Sequence, residues 1–169
     1  MNWVLVGLGN PGEEYTNTRH NVGREFLLDC VDKLPKKATV LTPDTFMNKS
    51  GAAVKPLIKS VKAAERLVIL HDDLDLPVGT VKVSFGRGSG GHKGVESIER
   101  AVKTKNYVRI RIGISAGGTG GAVKKPDVLG TFKPSEVAEL KKAKKSVKDA
   151  LEILLTEGVA KAMTEINRR

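Results

Sequence analysis

The chain has one cysteine in 169 residues, so no internal disulfide can form. Cys30 falls on an apolar helical stripe, where a packed, unreactive thiol is expected, and that usage suits a reducing compartment. Long apolar runs are missing too: none approaches the roughly 20 residues that cross a bilayer. The amino end carries no basic segment ahead of an apolar one, so neither anchor nor signal peptide is expected, and the cytoplasm is the expected location. Internal repeats and linker-like stretches are also absent. The simplest organisation is a single domain over residues 1–169, long enough to bury roughly two-thirds of the surface its unfolded chain exposes.

The spacings that mark common catalytic centres are equally scarce. His20, His71, Asp72, Asp73, Asp75 and His92 could ligate a metal, but no H-x-x-x-H or C-x-x-C spacing joins them, so no metal is expected. Ser89 lies between glycines, yet Arg87 stands where G-x-S-x-G needs its first glycine, which excludes a nucleophile elbow. Two glycine patterns, Gly7, Gly9, Gly12 and Gly86, Gly88, Gly91, match G-x-G-x-x-G. After the first, Pro11 removes a donor and Glu13 and Glu14 add negative charge where a pyrophosphate would lie. After the second, no acidic residue between Glu99 and Asp127 could hold a ribose. No cofactor is expected.

What the chain does carry is positive charge, and it is unevenly placed. The net charge is +10, from 29 basic and 19 acidic residues. Between Lys82 and Lys125 stand ten basic residues against two acidic ones, most of the whole excess in one segment. That distribution is the footprint of a polyanion partner, of which nucleic acid is the commonest.

Strand and helix patterns alternate throughout. Trp3 to Val6 reads as a buried strand ended by a glycine- and proline-rich loop. Val22, Phe26, Leu27, Cys30, Val31 and Leu34 then recur at helical spacing, placing His20 at or just before the first turn. Ala38 to Leu41 completes a βαβ opening. A second helix carries Val54, Leu57, Ile58 and Val61, and Leu67 to Leu70 is a central strand expected to end where the charges of His71-Asp72-Asp73 begin. A strand over Thr80 to Phe85 and a glycine-rich loop precede a helix with Val95, Ile98 and Val102. Tyr107 to Ile114 alternates Arg109 and Arg111 with apolar residues. Ala116 to Pro126 reads as a flap over a cleft, and the rest is helical, interrupted at Gly158. The fold class is α/β, a single domain with a twisted mixed β-sheet and helices on both faces, a three-layer sandwich.

A His and a carboxylate able to meet at one sheet edge, with Asn10 and Asn48 nearby, suit direct hydrolysis of an activated carbonyl such as an ester. At these residues the sequence resembles the bacterial peptidyl-tRNA hydrolases. The likeness runs through VGLGNPGEEYTNTRHNVG (Val6 to Gly23), TFMNKSG (Thr45 to Gly51), HDDLDLPVG (His71 to Gly79), GSGGHKG (Gly88 to Gly94) and RIRIGI (Arg109 to Ile114). The resemblance implies hydrolysis of the ester between a peptide and the 3′-terminal ribose of tRNA, by a monomer without metal or cofactor. His20 matches the general base and Asp72 its partner. Asn10 matches the residue that separates peptidyl- from aminoacyl-tRNA, and Tyr15, Phe46 and Asn48 match contacts to the acceptor end, Asn48 also suiting an oxyanion. Arg111 matches one half of a phosphate clamp.

Three positions depart from the family pattern. Lys93 replaces the usual Asn and is a candidate substrate contact. Ser84 replaces the usual clamp Lys, leaving Lys82 or Arg87 as substitutes for the tRNA phosphate. The segment between Leu34 and Ala38 is shorter, which implies a smaller sheet. The alternative that the resemblance leaves open is a non-catalytic RNA-binding relative.

Overall fold

The computed structural model describes residues 2–117 and 123–169. Five strands form the main path of one sheet in the order β2-β1-β3-β5-β4: β1 (Val4–Gly7), β2 (Thr39–Leu41), β3 (Leu67–Pro77), β4 (Val81–Phe85) and β5 (Val108–Gly117). β1 runs parallel to β2 and β3, β3 runs parallel to β5, and β4 is antiparallel to β5. A short β6 (Val123–Lys124) pairs antiparallel with the end of β5. The flap expected over Ala116 to Pro126 falls partly on residues 118–122, which lie outside the described residues.

Alternate apolar residues on the strands supply both faces of the sheet. Leu5, Val68, Leu70, Val108, Ile110 and Ile112 pack with α1 (Val22–Cys30), α4 (Val137–Glu157) and α5 (Val159–Asn167). Val4, Val6, Leu67 and Ile69 pack on the other side with α2 (Ser50–Val54) and α3 (Lys93–Val102). The result is the expected α/β sandwich of helices, sheet and helices.

Two elements differ from their sequence reading. β3 continues to Pro77 instead of ending at Leu70. Asp72 and Asp73 stay in register with Ile112 and Gly113 of β5, and both are buried. Partners on neighbouring elements satisfy them, so the charges that read as a strand end are tolerated inside one. The second helix is shorter than its apolar spacing implies. It ends at Val54, and Pro56 sits in the following 3-10 turn Lys55–Leu57, because its ring cannot donate a helical hydrogen bond. Val61 is accordingly exposed.

Close packing fixes the sheet against its helices at two points. Gly23, in the first turn of α1, lies so close to β3 that a β-carbon would overlap the carbonyl oxygen of Leu70. At the outer edge of the sheet, the Asn167 side chain accepts from Val83 N at 2.7 Å and donates to Val83 O at 2.8 Å.

Gly23→Ala therefore forces α1 away from β3, and with it the turn bearing His20. A loss of about 1–3 kcal/mol is expected for overpacking of this kind, or roughly 2–4 °C per kcal/mol in Tm for a chain of this size. Thermal unfolding of the variant against the parent measures it, and an unchanged Tm would contradict the close approach.

Candidate active site

His20 lies in the 3-10 turn Arg19–Asn21 that leads into α1. The turn is fixed by backbone bonds from Arg19 N to Gly130 O (2.9 Å) and His20 N to Val128 O (2.8 Å). In addition, the buried Arg19 guanidinium donates to Ile114 O and to both carboxylate oxygens of Glu136 and stacks 4.7 Å from the Phe132 ring centroid. His20 is thus held by the end of β5 and the approach to α4, both far away in sequence.

Asp72 is the hub. Its Oδ2 lies 2.7 Å from His20 Nδ1, and its Oδ1 lies 2.7 Å from His92 Nε2. His92 is the N-cap of α3, and its Nδ1 accepts from Gly94 N at 3.1 Å and Val95 N at 3.3 Å. With Nδ1 an acceptor, the hydrogen of His92 must sit on Nε2, where it donates to Asp72. The ionised carboxylate only accepts, so His20 donates to it through Nδ1, and in the neutral ring the lone pair is on Nε2. Burial opposes ionisation of Asp72, but the neighbouring His92 and the hydrogen bonds from His20 and His92 outweigh it and hold the carboxyl well below the usual range. His20, Asp72 and His92 offer ligand atoms within 4.8 Å of one another, a cluster that could hold a metal ion. The same nitrogens are already joined to the carboxylate at hydrogen-bonding distance.

A cavity of about 420 Å³ opens over this hub. His20, Asp72, Lys93 and Arg111 among the expected residues line it, together with His71, His92, Arg109, Lys125 and Val128. Lys93 is exposed at the first turn of α3. Arg111 Nε donates to Asp73 Oδ2 at 2.7 Å, and its Nη1 reaches Ser84 Oγ at 3.4 Å. Asp73 is held below its usual pKa: burial raises it, and the Arg111 hydrogen bond and the Asp75 amide more than reverse that.

The other expected residues fall outside the cavity lining. Asn10 is buried, receives Met47 N on its Oδ1 at 2.8 Å and exchanges bonds with Asn21, so its Nδ2 amide is the group left to donate outward. It ties the loop after β1 to the turn Met47–Lys49 that carries an exposed Asn48. Beside that turn, Tyr15 and Phe46 meet edge to face with centroids 6.3 Å apart, and Phe46 is 54% exposed. Two of the phosphate candidates are not brought to the cavity. Lys82 gives its ammonium to Asn167 O at 2.7 Å, and Arg87 is exposed on the loop after β4. In register Lys82 does sit opposite Arg111, but the nearby carboxyl end of α5 captures its side chain. Sequence reasoning missed His92 as a partner of Asp72, and with it Arg19, Asn21, His71 and Arg109. For His92 the sequence offers little signal: it lies in the glycine-rich loop before the helix, and histidine is not one of the usual N-cap residues.

Comparison with known proteins bears on the chain as a whole. The sequence model of the family described as peptidyl-tRNA hydrolase matches residues 4–39 and 30–169. The two matches overlap at residues 30–39, over the connection between α1 and β2. A peptidyl-tRNA hydrolase of Bdellovibrio bacteriovorus is 34% identical, the match covering 98% of this chain and 99% of that protein. One of Thermodesulfovibrio yellowstonii is 36% identical, covering 98% of each. The crystal structure of peptidyl-tRNA hydrolase from Acinetobacter baumannii superposes with a TM-score of 0.83 at 33% identity, covering 98% of this chain and 94% of that one. The endopeptidase HycI of Escherichia coli, 17% identical with a TM-score of 0.58, shares the fold alone.

The site makes stability depend on pH. Burial, with His92 and Arg109 beside it, lowers the pKa of His71 from 6.5 to about 3. Both His71 and Asp72 have folded pKa values below their unfolded ones, so each binds its proton more readily when unfolded. The stability they contribute is complete above the unfolded values and is lost on acidification. Tm should therefore decline as pH falls from 6.5 towards 3, with the share of Asp72 joining below about pH 4. The slope is at most about 1.4 kcal/mol per pH unit for each group. Thermal melts at constant ionic strength test this, and a Tm that stays level from about pH 7 to 5 would count against a neutral His71.

Proposed function

This chain belongs to the peptidyl-tRNA hydrolase family and hydrolyses peptidyl-tRNA, and we propose that it does so with a water molecule activated by His20. The observation that carries the reading is the 2.7 Å contact of His20 Nδ1 with Asp72, which leaves Nε2 as the base at a cavity. Water attacks the carbonyl carbon of the ester while Nε2 takes its proton. Asp72 fixes the tautomer and stabilises the imidazolium that forms. The oxyanion is met by an amide donor, for which Asn48 is the candidate. When the bond to the ribose oxygen breaks, His20 returns the proton to that oxygen, releasing the peptide acid and free tRNA.

The remaining residues bind the substrate. Asn10 offers its Nδ2 amide to the peptide next to the ester, which a free aminoacyl group would not match. Exposed Phe46, with Tyr15 against it, suits stacking of the unpaired acceptor end. Lys93 at the rim and Arg111 meet negative charge on the substrate, and Arg87 is a more peripheral contact of the same kind. All of these groups come from one chain, so a monomer suffices. No helix among the described residues is long and apolar enough to cross a membrane, and the reaction belongs in the cytoplasm, where its substrate is.

His20→Ala should lower the rate of peptide release by about a hundred- to ten-thousand-fold while tRNA binding persists, with the parent active in a buffer containing a metal chelator. Turnover undiminished in the variant, or abolished in the parent by the chelator, would refute the proposed base. Arg111→Ala should weaken tRNA binding and reduce its salt slope by about 1. An unchanged slope in binding titrations would remove Arg111 from the phosphate contacts.

A further inference from the structure

Arg109 and His71 are the least expected pair in the interior. Arg109, on β5, is 6% exposed, and its Nε is buried without a partner. Its neighbour Arg111 gives its Nε to Asp73, whereas Arg109 Nη1 is directed 3.3 Å from Nε2 of His71. His71 is 1% exposed, and its Nδ1 lies 2.8 Å from the carbonyl oxygen of Asp72. A guanidinium only donates and a carbonyl only accepts. Both bonds therefore demand one form of the ring, neutral, with its hydrogen on Nδ1 and its lone pair on Nε2.

A ring fixed in this way has two consequences nearby. It anchors the main chain of Asp72 through Nδ1. It also stands edge-on to His92, with centroids 4.9 Å apart and planes at 62°, and His92 is the residue that holds Oδ1 of Asp72. Burying a guanidinium and an imidazole between central strands costs free energy that an apolar pair would avoid. On the same strands Ile69 and Ile110 are such residues, so core packing alone does not call for the polar pair.

We propose that Arg109 and His71 are positioning residues for the hydrolysis: Arg109 fixes the ring of His71, and His71 fixes the Asp72 main chain and the plane of His92. Both oxygens of Asp72 then stay presented to His20 and His92. The inference rests on the mechanism in which His20 is the base. Since both residues border the cavity floor, direct contact with substrate is the competing outcome, and it has a different kinetic signature.

Arg109→Met keeps the length of the side chain and removes its charge and donors; Arg109→Lys keeps a cationic donor. In Arg109→Met, kcat on peptidyl-tRNA should fall on the order of ten- to a hundred-fold, as for a reacting group displaced by about an ångström, with KM nearly unchanged. Arg109→Lys should recover much of the rate. Nitrogen-15 spectra at neutral pH should show His71 as a single form protonated on Nδ1 in the parent and as a mixture in Arg109→Met. An unchanged kcat, or a rise in KM alone, overturns the proposal. Should Arg109→Met not fold, the parent spectrum still decides, because a hydrogen on Nε2 of His71 overturns it as well. A parent that fails to turn over peptidyl-tRNA refutes the mechanism itself, an outcome distinct from any of these.

Discussion

A carboxylate withdrawn from water loses several kcal/mol of hydration unless donors replace it, and Asp72 is almost wholly withdrawn. Both of its oxygens are instead met by imidazole N–H groups at 2.7 Å. Those imidazoles come from different layers: His20 precedes α1 on one face of the sheet, and His92 caps α3 on the other. One buried charge therefore ties the two helical layers to the central strand that carries it. The close seat of Gly23 on Leu70 and the capping of α3 by His92 are conditions on the same few ångströms, because either one moving would change the angle at which an imidazole meets the carboxylate.

Polar groups and one ion pair line the wall beside this hub. In the paired strands His71 and Asp73 of β3 sit beside Arg111 and Gly113 of β5, and the ion pair between Arg111 and Asp73 closes the row. Such a wall lets a strand of mixed polarity stay in the sheet instead of ending where the charges begin. It also places fixed dipoles and charges around a cavity that would otherwise be lined by strand ends and glycines, an arrangement suited to stabilising charge as it develops.

Much of the fold was legible because apolar periodicity and glycine punctuation act locally. Leu67 to Leu70, the stripe from Val137 to Leu154 and the stop at Gly158 all appear where the pattern puts them. What was not legible is set by pairing across the chain. Asp72 and Asp73 look like a strand end until His20, His92 and Arg111 are brought to them from 20 to 52 residues away. Motif resemblance singles out His20 and Asp72, which spacing alone could not have joined. The second imidazole on Asp72 escapes a sequence reading because a helix cap and an acid partner are separate roles that meet only in three dimensions. Lys82 shows the converse: register predicts it well opposite Arg111, yet the carboxyl end of a helix takes its amine.

That same helix end has a consequence for self-association. β4 forms an outer border of the sheet, where an incoming strand from another molecule could continue the ladder. The Asn167 amide, bonded to both the N–H and the carbonyl of Val83, imitates a peptide group from such a strand and occupies its rung. The border is plugged at that rung by a side chain from within the same fold, one of the ways an edge strand is kept from pairing with another molecule.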